Sequence, residues 1–241
     1  MKYIVVTLLI FSCFTMFAQV NANLSNIQTK LDNLTTQTNA PIIPLFDLRY
    51  EGIKGSRFFN EEYSTGEIWM TNNRHYTTEM EYKFDEHENG VQVKFKSTGK
   101  EITLFNNEVE IFKLRMNGKE VTYFKAEVPG EGDANKLFQV IFLSEKYKLI
   151  KLPSKKLVRH DEKGNSYVDT RKYDEFEDNH RYFIKTNDKD FKELKFKKSA
   201  FTKTIVEKKQ QLEKIFNQKE YKGDLTDVMI AEVLQILSKE N

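Results

Sequence analysis

The chain has 241 residues, of which 39% are apolar, 31% charged and 13% aromatic. Nineteen Phe and eleven Tyr exclude an intrinsically disordered chain, and ten Gly with four Pro exclude a collagen-like or low-complexity one. A single Cys excludes a disulfide framework and a cysteine-rich zinc site, while the formal net charge of +2 hides an uneven distribution along the chain.

The first twenty residues, MKYIVVTLLIFSCFTMFAQV, place Lys2 ahead of an apolar run from Tyr3 to Phe17. This is the pattern of a secretory signal peptide over residues 1–18, cut between Ala18 and Gln19. The run is shorter than the ~20 residues that a membrane span needs. Ile10-Phe11-Ser12-Cys13 loosely resembles a bacterial lipobox, so lipidation of Cys13 stands as the alternative to its removal with the leader. No later run approaches the length of a span, and the exported chain is expected in the periplasm or at the periphery of the outer membrane.

Residues 19–44 are polar, with Leu24, Ile27, Leu31 and Leu34 at the spacing of a helix face. A short amphipathic helix, docked or tethered, is expected there, ended by Pro41 and Pro44. The period then changes to two, which assigns residues 45–201 to an antiparallel β-sheet domain. Trp69 falls in the first sheet strand. Met80, Tyr82 and Phe84 alternate with charged residues, as do Val91, Val93 and Phe95, and Asn89-Gly90 between them predicts a tight hairpin. Asn117-Gly118 predicts another. The apolar phase slips near Phe112 and again near Phe124, which predicts β-bulges at both and a curved sheet. Leu137 to Leu143 is almost wholly apolar and predicts a central strand, with Tyr147, Leu149 and Ile150 in its partner. Lys163-Gly164-Asn165 marks a turn, and Tyr182-Phe183-Ile184 a strand. Lys195, Lys197 and Lys198 predict a guarded edge near Leu194. Residues 202–241 predict two helices, one over Thr202 to Asn217 and one capped by Asp224 with Leu225, Val228, Met229, Val233, Ile236 and Leu237 on its apolar face. The fold class is therefore α+β: a mainly antiparallel, curved β-meander or partial barrel, with two C-terminal helices packed on it.

Chemistry is sparse. No phosphate-binding glycine loop, GxSxG elbow or HExxH is present. His75, His87, His160 and His180 are scattered, and His87 between Glu86 and Glu88 reads as a solvated turn rather than a metal site. Asp174-Glu175-Glu177-Asp178 reads as a solvated acidic loop. Residues 151–223 hold 20 basic and 13 acidic residues, interleaved, which predicts a solvated lysine-rich face and no nucleic-acid partner. No catalytic residue, metal or cofactor is expected.

Gly55-Ser56-Arg57-Phe58-Phe59-Asn60-Glu61-Glu62-Tyr63, followed by Gly66-Glu67-Ile68, resembles the signature of a family of uncharacterised exported proteins of Gram-negative bacteria. The resemblance covers about residues 45–237 and rests on Gly55, Ser56, Asn60 and Gly66, departing at Arg57 and Phe58 where the family has Pro-Tyr. It implies an envelope location and a β-rich fold, and no established reaction. The sequence thus points to a non-enzymatic envelope protein, a binding or interaction module for an envelope protein or an apolar ligand. A carrier of lipid or acyl chains is the variant of that reading, and a carboxylate-dependent hydrolase of envelope polymers the alternative.

Overall fold

The computed structural model describes residues 50–159, 173–187 and 189–239. The Ala18–Gln19 cleavage site, Cys13, the amphipathic 19–40 segment, His160 and the Lys163-Gly164-Asn165 turn lie outside the described residues.

Among the described residues thirteen strands form, most of them in the stretches where period two is read. Along the chain they are β1 (Thr65–Met70), β2 (His75–Tyr76), β3 (Met80–Asp85), β4 (Gly90–Phe95), β5 (Glu101–Leu104), β6 (Val109–Met116) and β7 (Lys119–Lys125). Then come β8 (Leu137–Leu143), β9 (Tyr147–Leu152), β10 (Lys155–Val158), β11 (Glu175–Asp178), β12 (Arg181–Thr186) and β13 (Lys192–Leu194). Three open sheets result: eight strands in the order β13-β12-β9-β8-β7-β6-β1-β2, three in the order β3-β4-β5, and the pair β10-β11. All strand pairs are antiparallel. β8 is central and the short β13 is an edge, as the apolar run and the flanking lysines require.

One register row crosses the whole large sheet: Tyr76, Ile68, Phe112, Tyr123, Gln139, Lys151, Tyr182 and Leu194 are successive cross-strand partners. Partners in a row share a face. At one end of this face Ile68, Phe112, Leu114 and Tyr123 pack against Met80, Tyr82, Phe84, Val91 and Val93 of the three-stranded sheet. At the other end Tyr147, Leu149, Ile184 and Leu194 pack against the helical tail. Each such fully buried side chain contributes roughly 1.5–3 kcal/mol over its exposed state. The opposite face carries Phe138, Ile150, Leu152 and Phe183, with Val128 folded onto them and Phe124 and Phe191 partly buried beside them.

Several local expectations change. The β3–β4 connection runs over four residues, Glu86 to Asn89, with only Asn89 left-handed at φ 50°, while Gly90 opens β4. The cause is Asp85, whose Oδ1 accepts the backbone N–H groups of His87 and Glu88 at 3.0 Å each and builds its own turn. Asn117-Gly118 does form the two-residue hairpin, at φ 50° and 73°. The bulges lie between Trp69 and Met70 on β1, opposite Val109–Ile111, and between Val140 and Phe142 on β8, while the β6–β7 register runs unbroken through Phe112 and Phe124. Phe112 is fully buried and Phe124 lies partly buried on the opposite face, so the apparent slip at Phe124 reflects a strand that carries apolar side chains on both faces.

The tail holds α1 (Lys198–Thr204), α2 (Lys209–Phe216) and α3 (Asp227–Lys239). The first expected helix breaks at Ile205, after a run of Thr202, Thr204, Ile205 and Val206. β-Branched residues favour helix poorly, and the Thr204 hydroxyl bonds back to the Ala200 carbonyl at 2.9 Å. Thr226, not Asp224, caps α3, its Oγ1 accepting the Met229 N–H at 3.2 Å. The buried stripe of α3 is Ile230, Val233, Leu234 and Leu237, leaving Val228 62% exposed. Among the described residues no helix is long and apolar enough to cross a membrane.

Candidate functional site

Between the two apolar ends of the covered face the register row turns polar. Gln139 and Lys151 stand in inward positions of the two central strands, 9% and 6% exposed. Lys151 Nζ reaches Asp227 Oδ2 at 2.8 Å, and the Tyr182 hydroxyl donates to Asp227 Oδ1 at 3.0 Å, so the start of α3 is pinned to the sheet. Burial and the adjacent Asp227 carboxylate push the Tyr182 hydroxyl well above its ordinary value. The Gln139 Oε1 and Tyr123 hydroxyl atoms, neighbours in the same row, are buried without a hydrogen-bond partner among the described residues.

The signature loop closes this seam from the side. Gly55 is left-handed at φ 79°, and a side chain at Gly66 would put its Cβ 2.3 Å from the Lys113 carbonyl oxygen. Between these glycines the chain turns its carbonyls inward: Ser56 and Phe58 accept Lys155 Nζ at 2.7 and 3.0 Å. Arg57 Nε meets Asp85 Oδ2 at 3.2 Å, both side chains buried. Asn60 Nδ2 donates to Ser64 Oγ at 3.1 Å and to the Glu62 carbonyl. All four signature residues act as a clasp joining the three-stranded sheet to β10-β11 and β1.

Glu86 lies at the centre, 4% exposed, with Lys155 Nζ 3.5 Å from its Oε2. Burial raises its carboxyl above the usual range, with Lys155 and Lys151 opposing. The turn expected to be solvated is thus built in: His87 Nδ1 donates to the Lys155 carbonyl at 2.9 Å and its ring meets Phe176 edge-on at 5.2 Å. The expected acidic loop is in fact strand β11, paired with β10 in the register Lys155–Asp178, Lys156–Glu177, Leu157–Phe176 and Val158–Glu175.

Glu86, Asp178 and His180 each bring one ligand-capable atom within 4.8 Å of the others. The donor set fits a cation poorly. The Ser154 N–H donates to His180 Nδ1 at 3.1 Å, so the ring proton sits on Nε2, which faces Asp178 Oδ1 at 3.8 Å. Ligation through Nε2 would move that proton to Nδ1, against a backbone donor, and Lys155 already supplies positive charge. Burial and then Lys151 lower the His180 pKa, which keeps the ring neutral. The cluster is an internally paired polar seam.

The opposite face holds an open hollow of about 1110 Å³. Phe124, Val128 and Phe191 contribute its apolar floor, and the β7–β8 connection with Ala126, Pro129 and Asp133 forms one wall. Lys148 and Lys185, direct cross-strand partners, lie on its floor.

The chain matches no family model, no curated protein and no solved structure. The resemblance to the exported family rests on its quoted residues alone. Sequence reasoning missed Gln139, Lys151, Asp227 and Lys155. A signal existed for two of them: Gln139 and Lys151 are polar residues in the inward phase of otherwise apolar central strands.

Proposed function

We propose that the protein is an exported cell-envelope binding module, working in the periplasm or at the outer-membrane periphery, and that it recognises its ligand in the hollow. The observation that carries this reading is the hollow itself. Strand residues of the large sheet, Phe124, Lys148 and Lys185, form part of its floor, and connecting loops supply the rest and the walls, on the face that neither the three-stranded sheet nor the helices cover. Rigid floors with loop walls are where recognition sites are found. An acyl carrier with a cavity between its layers finds less support, because Tyr82, Phe84, Phe112 and Tyr123 fill that space.

A hydrolytic role would draw on Glu86, a buried acid with a raised pKa close to a second carboxylate, Asp178. Against it stand the ion pair of Glu86 with Lys155 and its 4% exposure, which keep a polymeric substrate from its oxygens. Native mass spectrometry of the protein purified from its own envelope tests the reading. The expected result is a chain beginning at Gln19 that carries a co-purifying ligand or protein. A bare chain that cleaves envelope polymers, and stops doing so in Glu86→Gln, contradicts it.

A further inference from the structure

We propose that the hollow is a binding site for a single-chain amphiphile bearing one negative charge, with Lys148 and Lys185 holding the head and the floor around Phe124 and Phe191 taking the tail. The inference rests on the binding-module reading and names its ligand class.

Lys148 and Lys185 face each other directly across β9 and β12. Like charges in that position repel, and a fold keeps them at a cost unless something of opposite sign lies between them. Both are half-buried, and among the described residues neither ammonium is in an ion pair. By contrast, Lys151, three residues along the same strand on the other face, has Asp227 at 2.8 Å. The next member of the Lys148 row is Leu143, its partner across β8, 52% exposed. A cation pair therefore adjoins exposed apolar surface, the two halves of an amphiphile's complement.

The rim narrows the choice. Glu127, Asp133, Glu145 and Asp190 also line the hollow, and all four are exposed on loops. Glu131 is already engaged by Lys136 at 2.7 Å and by Arg181. A polyanion reaching for the two lysines would meet this acidic ring, whereas one carboxylate or phosphodiester passes with little repulsion. A volume of about 1110 Å³ has room for a chain as well as a head.

Isothermal titration of the full chain tests the assignment with three probes: decanoate, its uncharged glycerol ester, and inositol hexakisphosphate, the amphiphiles below their micellar concentrations. Decanoate is expected to bind about tenfold tighter than the ester, the worth of one partly solvated charge contact. The Lys148→Gln/Lys185→Gln variant is expected to bind decanoate only as well as the ester, with no fall in its melting temperature, since a repulsion is removed. Equal binding of decanoate and ester, or full decanoate affinity in the variant, overturns the charge clamp and leaves the binding-module reading to the mass of the native complex. Tighter binding of the hexakisphosphate overturns the monoanion assignment. Absence of binding by both amphiphiles overturns the proposal, while a protein partner on the native chain would still uphold the module.

Discussion

Lys151 and Lys148 stand three residues apart on the same strand and face opposite sides of the large sheet. Lys151 is buried against Asp227 and sits in a row closed over by a second sheet and by helices. Lys148 is half-buried, opposite another lysine, in a hollow that no layer covers. Period two alone produces this separation, because adjacent residues of a strand belong to different environments. Among the described residues, the charges buried on or beside the covered face are matched within the chain: Arg57 to Asp85, Lys155 to Glu86, Lys151 to Asp227. Facing the hollow, Lys148 and Lys185 are in no ion pair among the described residues. Most of the apolar core lies on the covered side, in two clusters, while the other side carries a smaller cluster and the hollow beside it.

That division can be broken experimentally, and the largest effect belongs to the covered face. Phe112→Ala removes a fully buried ring stacked on Tyr123 at 5.5 Å and should cost about 3–5 kcal/mol in urea unfolding. Phe124→Ala, on the open face, should cost less than about 2 kcal/mol, because its ring is only partly buried. Equal losses would mean that Phe124 belongs to the core as fully as Phe112.

Next in size is the seam. Lys151→Met leaves Asp227 with Tyr182 as its remaining partner and should destabilise by about 2–3 kcal/mol, below the usual cost of breaking a buried pair because Asp227 is 30% exposed. Lys148→Met should stay within about 0.5 kcal/mol of the parent. The comparison fails if the two lysine variants lose the same amount.

The smallest effect is a pH slope. His180 is held below its ordinary 6.5 by burial and by Lys151, with Asp178 and Asp227 opposing and Lys155 reinforcing. The folded chain therefore binds fewer protons than the unfolded one in that range, so this contribution is present above 6.5 and is lost as pH falls through the lower folded value. Glu86 acts with the opposite sign, since its raised pKa favours the folded state below 4.5 and loses that benefit as pH rises through the folded value. Thermal melts between about pH 5 and 7 should show a decline toward acid that flattens in His180→Gln and steepens in Glu86→Gln. Parallel slopes in all three proteins would remove His180 and Glu86 from the seam's electrostatics.

How far the sequence reached follows the same physics. Strands, their antiparallel order and the helical tail were legible because alternation and stripe spacing are local. The Asn117-Gly118 turn was legible because two left-handed residues side by side have one common use. The Asn89-Gly90 turn was misread because Asp85, four residues earlier, supplies a competing side-chain acceptor. The break at Ile205 depends on a threonine bonding back into its own helix, which apolar spacing does not register. The seam and the lysine pair were out of reach for another reason. Lys148 meets Lys185, and Lys155 meets Ser56, only through pairings that join distant segments. Of the signature residues, Gly55, Ser56, Asn60 and Gly66 were found by their pattern, but their role as a clasp appeared only with the contacts of Lys155 and Lys113.

Carbodiimide labelling of carboxylates, in intact envelopes and on purified protein, tests the central division most directly. The account predicts that Glu127, Asp133, Glu145 and Asp190 around the hollow are shielded in the envelope and reactive once purified, while the exposed acids Glu207 and Glu213 of the helical tail react equally in both. Equal labelling of the hollow's acids in the two states, or shielding confined to the tail, would contradict it.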